Sequence, residues 1–425
     1  MTRDADSDQP TDRSQYAPNP KEDRAGIALC LSGGGYRAAL FHLGALRRLN
    51  ELGVLSKVST FSSVSGGSIL AACLAAQIAT GLHWPEPGGV IGDFDEKIAI
   101  PFRQFTRKNI RSAPVITKII SPWKWLDSAY GARYLAKQYE QHLTGLRLRD
   151  LPKKPRFVLS ATDMTFGVNW VFDSNYTNPH QNPQGPDLGD YQAGYGPFPD
   201  WPLARAVAAS SCFPPVFNPL PVGLPAYHFE HGKYDGEDRQ ELVEGIRLSD
   251  GGVYDNMGLE PVWKDHQIVL VSDGGAPFEA EPDSGLLWRV GRYTSIQGRQ
   301  GAAVRKRWLI RNYETDEMDG TYWGIRSSPQ RYGDDLPGYS KDLAVDVLSK
   351  VRTDLDSFTD AEAAALQTHG YYLVDAAIRT WTNNLTGTAT PPTVPAPTPG
   401  DEQGIRRNLH NSHKRSLIGR GQIVW

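Results

Sequence analysis

Serine, glycine and aspartate, placed at the ends of apolar runs, are the residues of this chain whose types and spacing could do chemistry. Ser32-Gly33-Gly34-Gly35-Tyr36-Arg37 follows the apolar run Ile27 to Leu31. It precedes Tyr36 to Leu52, where apolar residues recur at 40, 43, 46 and 49. Three glycines between a strand and a helix leave backbone N–H groups uncovered at the helix's positive end, where negative charge is stabilised. Such a loop can bind a phosphate or hold the oxyanion of acyl transfer. Gly33, Gly35 and Ala38 also fit the dinucleotide pattern G-x-G-x-x-A. That pattern expects an acid near the end of the next strand. Val58 to Val64 has none in it or just after it, so the dinucleotide reading fails its own test. A purely structural tight turn is the bland alternative.

Ser63-Val64-Ser65-Gly66-Gly67 ends a second apolar run and opens a second helix. That is where a nucleophile elbow, G-x-S-x-G, belongs. The sharp turn requires tiny flanking residues. Ser65 is the central serine, Gly67 fills the last position, and Ser63 stands where the first glycine would be. Ordinary turn and helix-cap serines are the bland alternative. The glycine loop about 30 residues earlier, in the same strand-turn-helix context, favours the nucleophile.

A serine nucleophile needs a base. The candidate histidines are His180, His228, His231, His266 and His369. None lies at the C-terminal end of a strand beside small residues. Two Asp-Gly-Gly elements stand out instead, Asp250-Gly251-Gly252 and Asp273-Gly274-Gly275. Glycines beside a carboxylate let another side chain approach its oxygen, so an aspartate can serve as base without a histidine. Asp273 ends the apolar strand Ile268 to Ser272 and could simply cap a turn. Asp250 leads into the polar stretch Val253 to Gly258, more like a site loop.

The elements that must position these residues read as strand, helix, strand, helix over residues 26–80. This is an α/β beginning with buried parallel strands. Further strands are expected at Phe157 to Asp163, Val168 to Phe172 and Ile268 to Ser272. A short helix is expected at Leu203 to Ala209, a long loop over 174–200, and helices at 285–309 and 359–381, the latter capped by Thr359. Residues 1–25 read as a disordered leader and 26–385 as one catalytic domain. Within it, 81–150 is a cap or lid-like insertion. A Thr/Pro-rich linker covers 386–403 and a basic tail 404–425.

The chain has 425 residues, 45 Lys+Arg against 48 Asp+Glu, 40% hydrophobic and 22% charged residues. That is ordinary globular usage and excludes a disordered chain, a coiled coil or a collagen. A net charge of −3 gives no general reason to expect nucleic-acid binding. Cys30, Cys73 and Cys212 are too few and too scattered for a disulfide framework or zinc site, and read as buried thiols. No apolar stretch is long enough to span a bilayer, and no secretory signal is visible, so a soluble cytoplasmic protein is the expectation. Charge is uneven, however. Residues 101–125 hold six basic residues and no acid, interleaved with aromatics and isoleucines, and 404–425 hold five more with no acid.

At the three clusters the chain resembles the patatin-like phospholipases, which combine a glycine-rich oxyanion loop, an elbow serine and an Asp-Gly-Gly/Ala aspartate in a Ser-Asp dyad. The loop Ser-Gly-Gly-Gly-Tyr-Arg-Ala is especially similar to that of the group IV cytosolic phospholipases. Asp250 with Asn256 is similar to the family's aspartate context and Asp273 is not. Ala206 to Pro214 is similar to its Ala-Ser-Ser-Ala-x-Pro segment. The resemblance covers roughly 26–280, with Ser63 and Ala38 departing from the usual glycines. It implies a three-layer α/β fold with a mostly parallel central sheet. It also implies a lipid acyl hydrolase with Ser65 and Asp250 catalytic and an oxyanion hole from Gly33, Gly34, Gly35 and Gly66. Tyr36 and Arg37 would bind substrate, Arg37 through a lipid phosphate. Neither cofactor nor metal is expected. The partner is a lipid or acyl-ester substrate, met peripherally at a membrane through 101–125 or 404–425 if at all. The competing classes are an esterase or thioesterase on soluble substrates and a non-catalytic binding protein on the same fold.

Overall fold

In a computed structural model of the chain, described for residues 17–414 apart from 121–126, 128, 144, 177–184, 215–216, 279 and 388–398, a ten-stranded sheet runs through the molecule. Its strands are β1 (Ile27–Leu31), β2 (Thr60–Val64), β3 (Arg156–Asp163), β4 (Val168–Tyr176), β5 (Gly185–Asp190), β6 (Gly194–Pro197), β7 (Leu220–Pro221), β8 (Arg247–Asp250), β9 (Ile268–Asp273) and β10 (Asp319–Gly324). The order is β10-β9-β1-β2-β3-β4-β5-β6. The five strands from β10 to β3 are mutually parallel, and β4, β5 and β6 continue antiparallel.

Strand alternation divides the core into two faces. Leu29 and Leu31 of β1 and Leu270 of β9 point into the larger cluster with helices Gly35–Glu51, Gly66–Ala79 and Asp360–Trp381. Ala28, Cys30, Val269 and Val271 point the other way, onto Leu259, Val262 and Leu309 of the helix Leu286–Glu314. With helices on both faces the architecture is three-layered. Both faces being apolar explains why β1 and β9 are continuous hydrophobic runs. The helix Asp360–Trp381 begins at a full capping box, Thr359 with Glu362.

Several expectations need correction. Residues 174–200 are not one long loop, because β4 extends to Tyr176 and β5 and β6 follow. Those strands are rich in Gly, Asp and Pro and lack apolar alternation, so only their pairing partners reveal them. Residues 17–25 are not a loose leader: Asn19 N–H and Ala25 N–H donate to Lys264 O and Asp265 O, and Arg24 is buried. The linker and tail are partly docked as well. Helix Glu402–Asn408 is capped by Asp401, Leu409 is buried, and Arg352 N–H donates to Ser412 O. Residues 1–16, 388–398 and 415–425 lie outside the described residues.

Within 81–150 the basic run is answered from a distance. Arg103 and Arg107 reach Asp360 at 3.7 and 2.5 Å, and Arg111 reaches Asp354 at 3.1 Å. Phe102, Phe105 and Ile110 belong to the main core. Trp123, Lys124 and Trp125 lie outside the described residues.

Candidate active site

β3 is eight residues long and β2 only five, and that difference builds the site. β2 runs alongside β3 until Val64 lies opposite Ser160. β8 comes down the same side of β3 from the other direction, ending with Asp250 opposite Ala161. The two strand ends therefore meet over adjacent residues of β3, about 3.3 Å apart along the strand. Ser65, the residue after Val64, and Asp250 are brought together. Asp273 ends β9, on the far side of β1 from β2, roughly 10 Å away across two strand spacings.

Ser65 has φ 51° and ψ −115° and directly precedes the helix Gly66–Ala79. This is the strained strand-to-helix turn that a nucleophile elbow requires. A side chain at Gly67 would overlap Leu31 O, and one at Gly66 would overlap Gly35 O, so neither position admits anything larger. Ser63 is fully buried, and its hydroxyl is part of a chain of hydroxyls beneath the elbow. Ser63 Oγ donates to Val158 O at 3.2 Å and accepts from Ser68 Oγ at 3.1 Å. Ser68 Oγ lies 2.8 Å from Ser210 Oγ. Ser210 Oγ accepts from Ser65 N–H at 2.9 Å and donates to Ser160 O at 2.6 Å. Serine at 63 thus replaces glycine without opening a void or leaving a polar group unpaired.

Asp250 is 2% exposed. Its Oδ1 accepts from Gly252 N–H at 2.8 Å, and its buried Oδ2 has no hydrogen-bond partner. Burial pushes the carboxyl up to about 6, while the nearby Ser65 hydroxyl and the Gly252 N–H pull it back. Asp273 is engaged on both oxygens, by Gly275 N–H at 2.9 Å and Tyr322 OH at 2.6 Å, which is the turn-capping role.

The glycine loop packs over the elbow. Asn256, six residues after Asp250, ties the two together: its carbonyl accepts from Gly33 N–H at 3.0 Å. Gly33 is therefore not available as an oxyanion donor, and its expected role is corrected to a structural one. Gly33 must still be glycine, because a Cβ there would overlap Asn256 Oδ1 and press on Ser65 Cβ at 3.1 Å. Gly34, with φ 141°, precedes the helix that starts at Gly35. The N–H groups of Gly34, Gly35 and Gly66 remain as candidate donors at two facing helix N-termini.

Tyr36 and Arg37 are corrected too. Both are essentially unexposed, so neither lines a surface that substrate reaches. Tyr36 packs edge-on against Phe105 and Phe358. Arg37 donates to Ser349 O, Val351 O and Gly274 O at 3.0, 2.9 and 2.8 Å. Its guanidinium fastens the glycine loop to the segments beneath it.

Sequence reasoning assigned no role to two supporting residues. One is Ser210, described above. The other is His42 on helix Gly35–Glu51, whose Nε2 meets Ser32 O at 3.0 Å and Nδ1 meets Ser272 Oγ at 2.7 Å. Burial lowers His42 to about 4. The neutral ring then donates from Nε2 to the Ser32 carbonyl and accepts from Ser272, holding the base of the loop. Its only signal in the sequence was helical spacing from the glycines. Of the candidate histidines, His266 bonds Thr60 Oγ1 at the opposite end of β2, His369 bonds Ile325 O, His228 and His231 are exposed, and His180 lies outside the described residues. Among the described residues no three His, Cys, Asp or Glu side chains are grouped to hold a metal.

The sequence model of the family described as Patatin-like phospholipase matches residues 29–263. No protein of curated function matches the chain. Among solved structures it is similar to human GIVD cytosolic phospholipase A2 at 12% identity and TM-score 0.44, covering 92% of this chain and 61% of that one. The same human enzyme in complex with methyl gamma-linolenyl fluorophosphonate gives 13% and 0.45, covering 86% and 60%. VipD from Legionella pneumophila gives 14% and 0.32, covering 83% and 66%. This chain thus spans less than two thirds of each of those structures. With more than half of its residues matched by the family model, the chain belongs to the patatin-like phospholipase family.

Proposed function

We propose that the protein cleaves ester bonds of phospholipids or lysophospholipids through an acyl-enzyme on Ser65, with Asp250 as base. The observation that carries this reading is the register of β3, which sets the end of β2 beside the end of β8. Asp250 takes the Ser65 proton as Oγ attacks the ester carbonyl. The N–H groups of Gly34, Gly35 and Gly66 hold the oxyanion. Collapse of the tetrahedral intermediate expels the alcohol, which receives the proton from Asp250. A water then gives its proton to Asp250 and attacks the acyl carbonyl. The fatty acid leaves and Ser65 recovers its proton. The carboxyl pushed up to about 6 by burial suits a group that must exchange protons near neutrality.

A lipid substrate would be met peripherally. Among the described residues no helix is long and apolar enough to cross a membrane. Flotation with liposomes, with and without anionic lipid, tests that contact. The decisive experiment for the chemistry is fluorophosphonate labelling plus hydrolysis of a lipid panel by wild type and Ser65→Ala. Ser65→Ala should lose both labelling and hydrolysis. Hydrolysis at the wild-type rate by that variant refutes the assignment.

A further inference from the structure

A cavity of about 1040 Å³ lies between the helix Leu286–Glu314 and the edge strand β10. Five cations line it: Arg299 and Lys306 on the helix, and Arg326, Arg331 and Lys341 on the chain after β10. Its acids are unevenly placed. Glu314, Asp316 and Asp319 sit by the start of β10, while Arg326 and Arg331 follow its end, a strand length of roughly 16 Å away. At the cationic end the only lining carboxylate among the described residues is Asp273, already engaged by Tyr322 OH and Gly275 N–H.

The cations bond neutral oxygens. Arg299 Nη1 donates to Ala276 O at 2.6 Å, Lys306 Nζ to Tyr322 OH at 2.7 Å, and Lys341 Nζ to Arg326 O at 2.5 Å. They also crowd one another. Burial first, then neighbouring guanidiniums, lower Arg299 and Lys341 from their ordinary values. Lys306 is lowered in the same way, against the opposing pull of Asp273. Like charges gathered around a cavity, with one committed carboxylate among them, form an electrostatic site for an anion.

The cavity adjoins the candidate nucleophile. Asn256 and Gly275 line it. The same Asn256 side chain lies beside Gly33, and Gly33 lies beside Ser65.

We propose that this cavity binds the phosphate group of an anionic ligand, supplied by the headgroup of a phospholipid whose ester reaches Ser65. The phosphate site stands on the cavity and its charges. Its assignment to a lipid headgroup rests on the hydrolase reading above.

The test is calorimetric titration of the full chain carrying Ser65→Ala, so that no lipid is consumed. The probes are inorganic phosphate, glycerol 3-phosphate and dihexanoyl phosphatidylglycerol. The lipid should bind more tightly than either soluble phosphate. Arg326→Gln with Arg331→Gln should weaken it about 10- to 100-fold, the loss of charge-assisted hydrogen bonds. Both arginines are exposed, so the fold should survive, and the charge-keeping Lys pair should recover part of the affinity. Equal binding of the three probes would make soluble phosphate the source and overturn the headgroup assignment. No binding of any probe, or binding indifferent to the paired Gln changes, overturns the site itself. Hydrolysis of a neutral ester by the otherwise unaltered chain is measured separately. If that is absent, the hydrolase reading fails while the calorimetric result still decides the phosphate site.

Discussion

Replacing Asp250 by Asn should abolish activity and stabilise the fold, and the second effect should depend on pH. Asp250 is fully buried, its Oδ2 lacks a partner, and its carboxyl is pushed from 3.8 up to about 6. A native value above the unfolded one means the folded chain holds this proton more tightly. The stability contributed by the group is fully present below about pH 4 and is lost as pH rises through about 6. The two-unit difference corresponds to about 3 kcal/mol, because each unit is 1.36 kcal/mol of preference between protonation states. Asn keeps an acceptor for Gly252 N–H and never ionises. Urea unfolding near pH 8 should therefore show Asp250→Asn more stable than wild type by up to about 3 kcal/mol, with the gain disappearing near pH 4. Hydrolysis by wild type should rise with pH through about 6 as the base ionises, and the variant should be at least about 100-fold slower at every pH. A gain over wild type no larger at pH 8 than at pH 4 would refute the buried-ionisation argument. Retained activity would refute the role. If Asp273→Asn were inactive instead, the base would be the other aspartate.

Two further outcomes follow from the elbow. Ser210→Ala removes the acceptor of Ser65 N–H and the donor to Ser160 O, both buried, so stability should fall by about 1–3 kcal/mol. Fluorophosphonate labelling should slow more than tenfold, since the strained turn loses its tether; labelling at the wild-type rate would show that Ser210 only packs. Gly67→Ala puts a methyl against Leu31 O and should displace the elbow from β1, lowering kcat by about 100-fold or preventing folding; a folded variant with normal kcat would contradict the close approach.

The candidate site was legible because it is local. A glycine loop, a serine between small residues and an Asp-Gly-Gly each sit where an apolar run stops, and short runs are what a parallel sheet writes into a sequence. The backbone partners were not legible. Gly33 looks like its two neighbours until Asn256 O, more than two hundred residues away in the chain, accepts its N–H. Arg37 and Tyr36 fall at helix positions where a polar side chain usually faces water, and only the segment around 349–358 buries them. The run of cations at 101–125 seemed unbalanced because Asp354 and Asp360 approach from the other end of the domain. β5 and β6 carry no apolar alternation, and docking of 401–414 depends on Arg352 and Ser340, so neither was visible without the fold.

The dyad proposed above would need no histidine. In a Ser-His-Asp triad the imidazole bridges a gap between nucleophile and carboxylate. Here β3 outlasts β2, and the free length of its edge is taken by β8, arriving antiparallel. Two strands running head to head along one partner bring their terminal residues together without an intermediary. In the proposed dyad, the carboxylate that stands in for the imidazole must then have a proton affinity closer to that of histidine than to an exposed aspartate. Burial provides this, raising Asp250 to about 6. Strand length and burial therefore act together: the first removes the gap that a histidine would fill, and the second gives the aspartate the proton affinity that the histidine would have supplied.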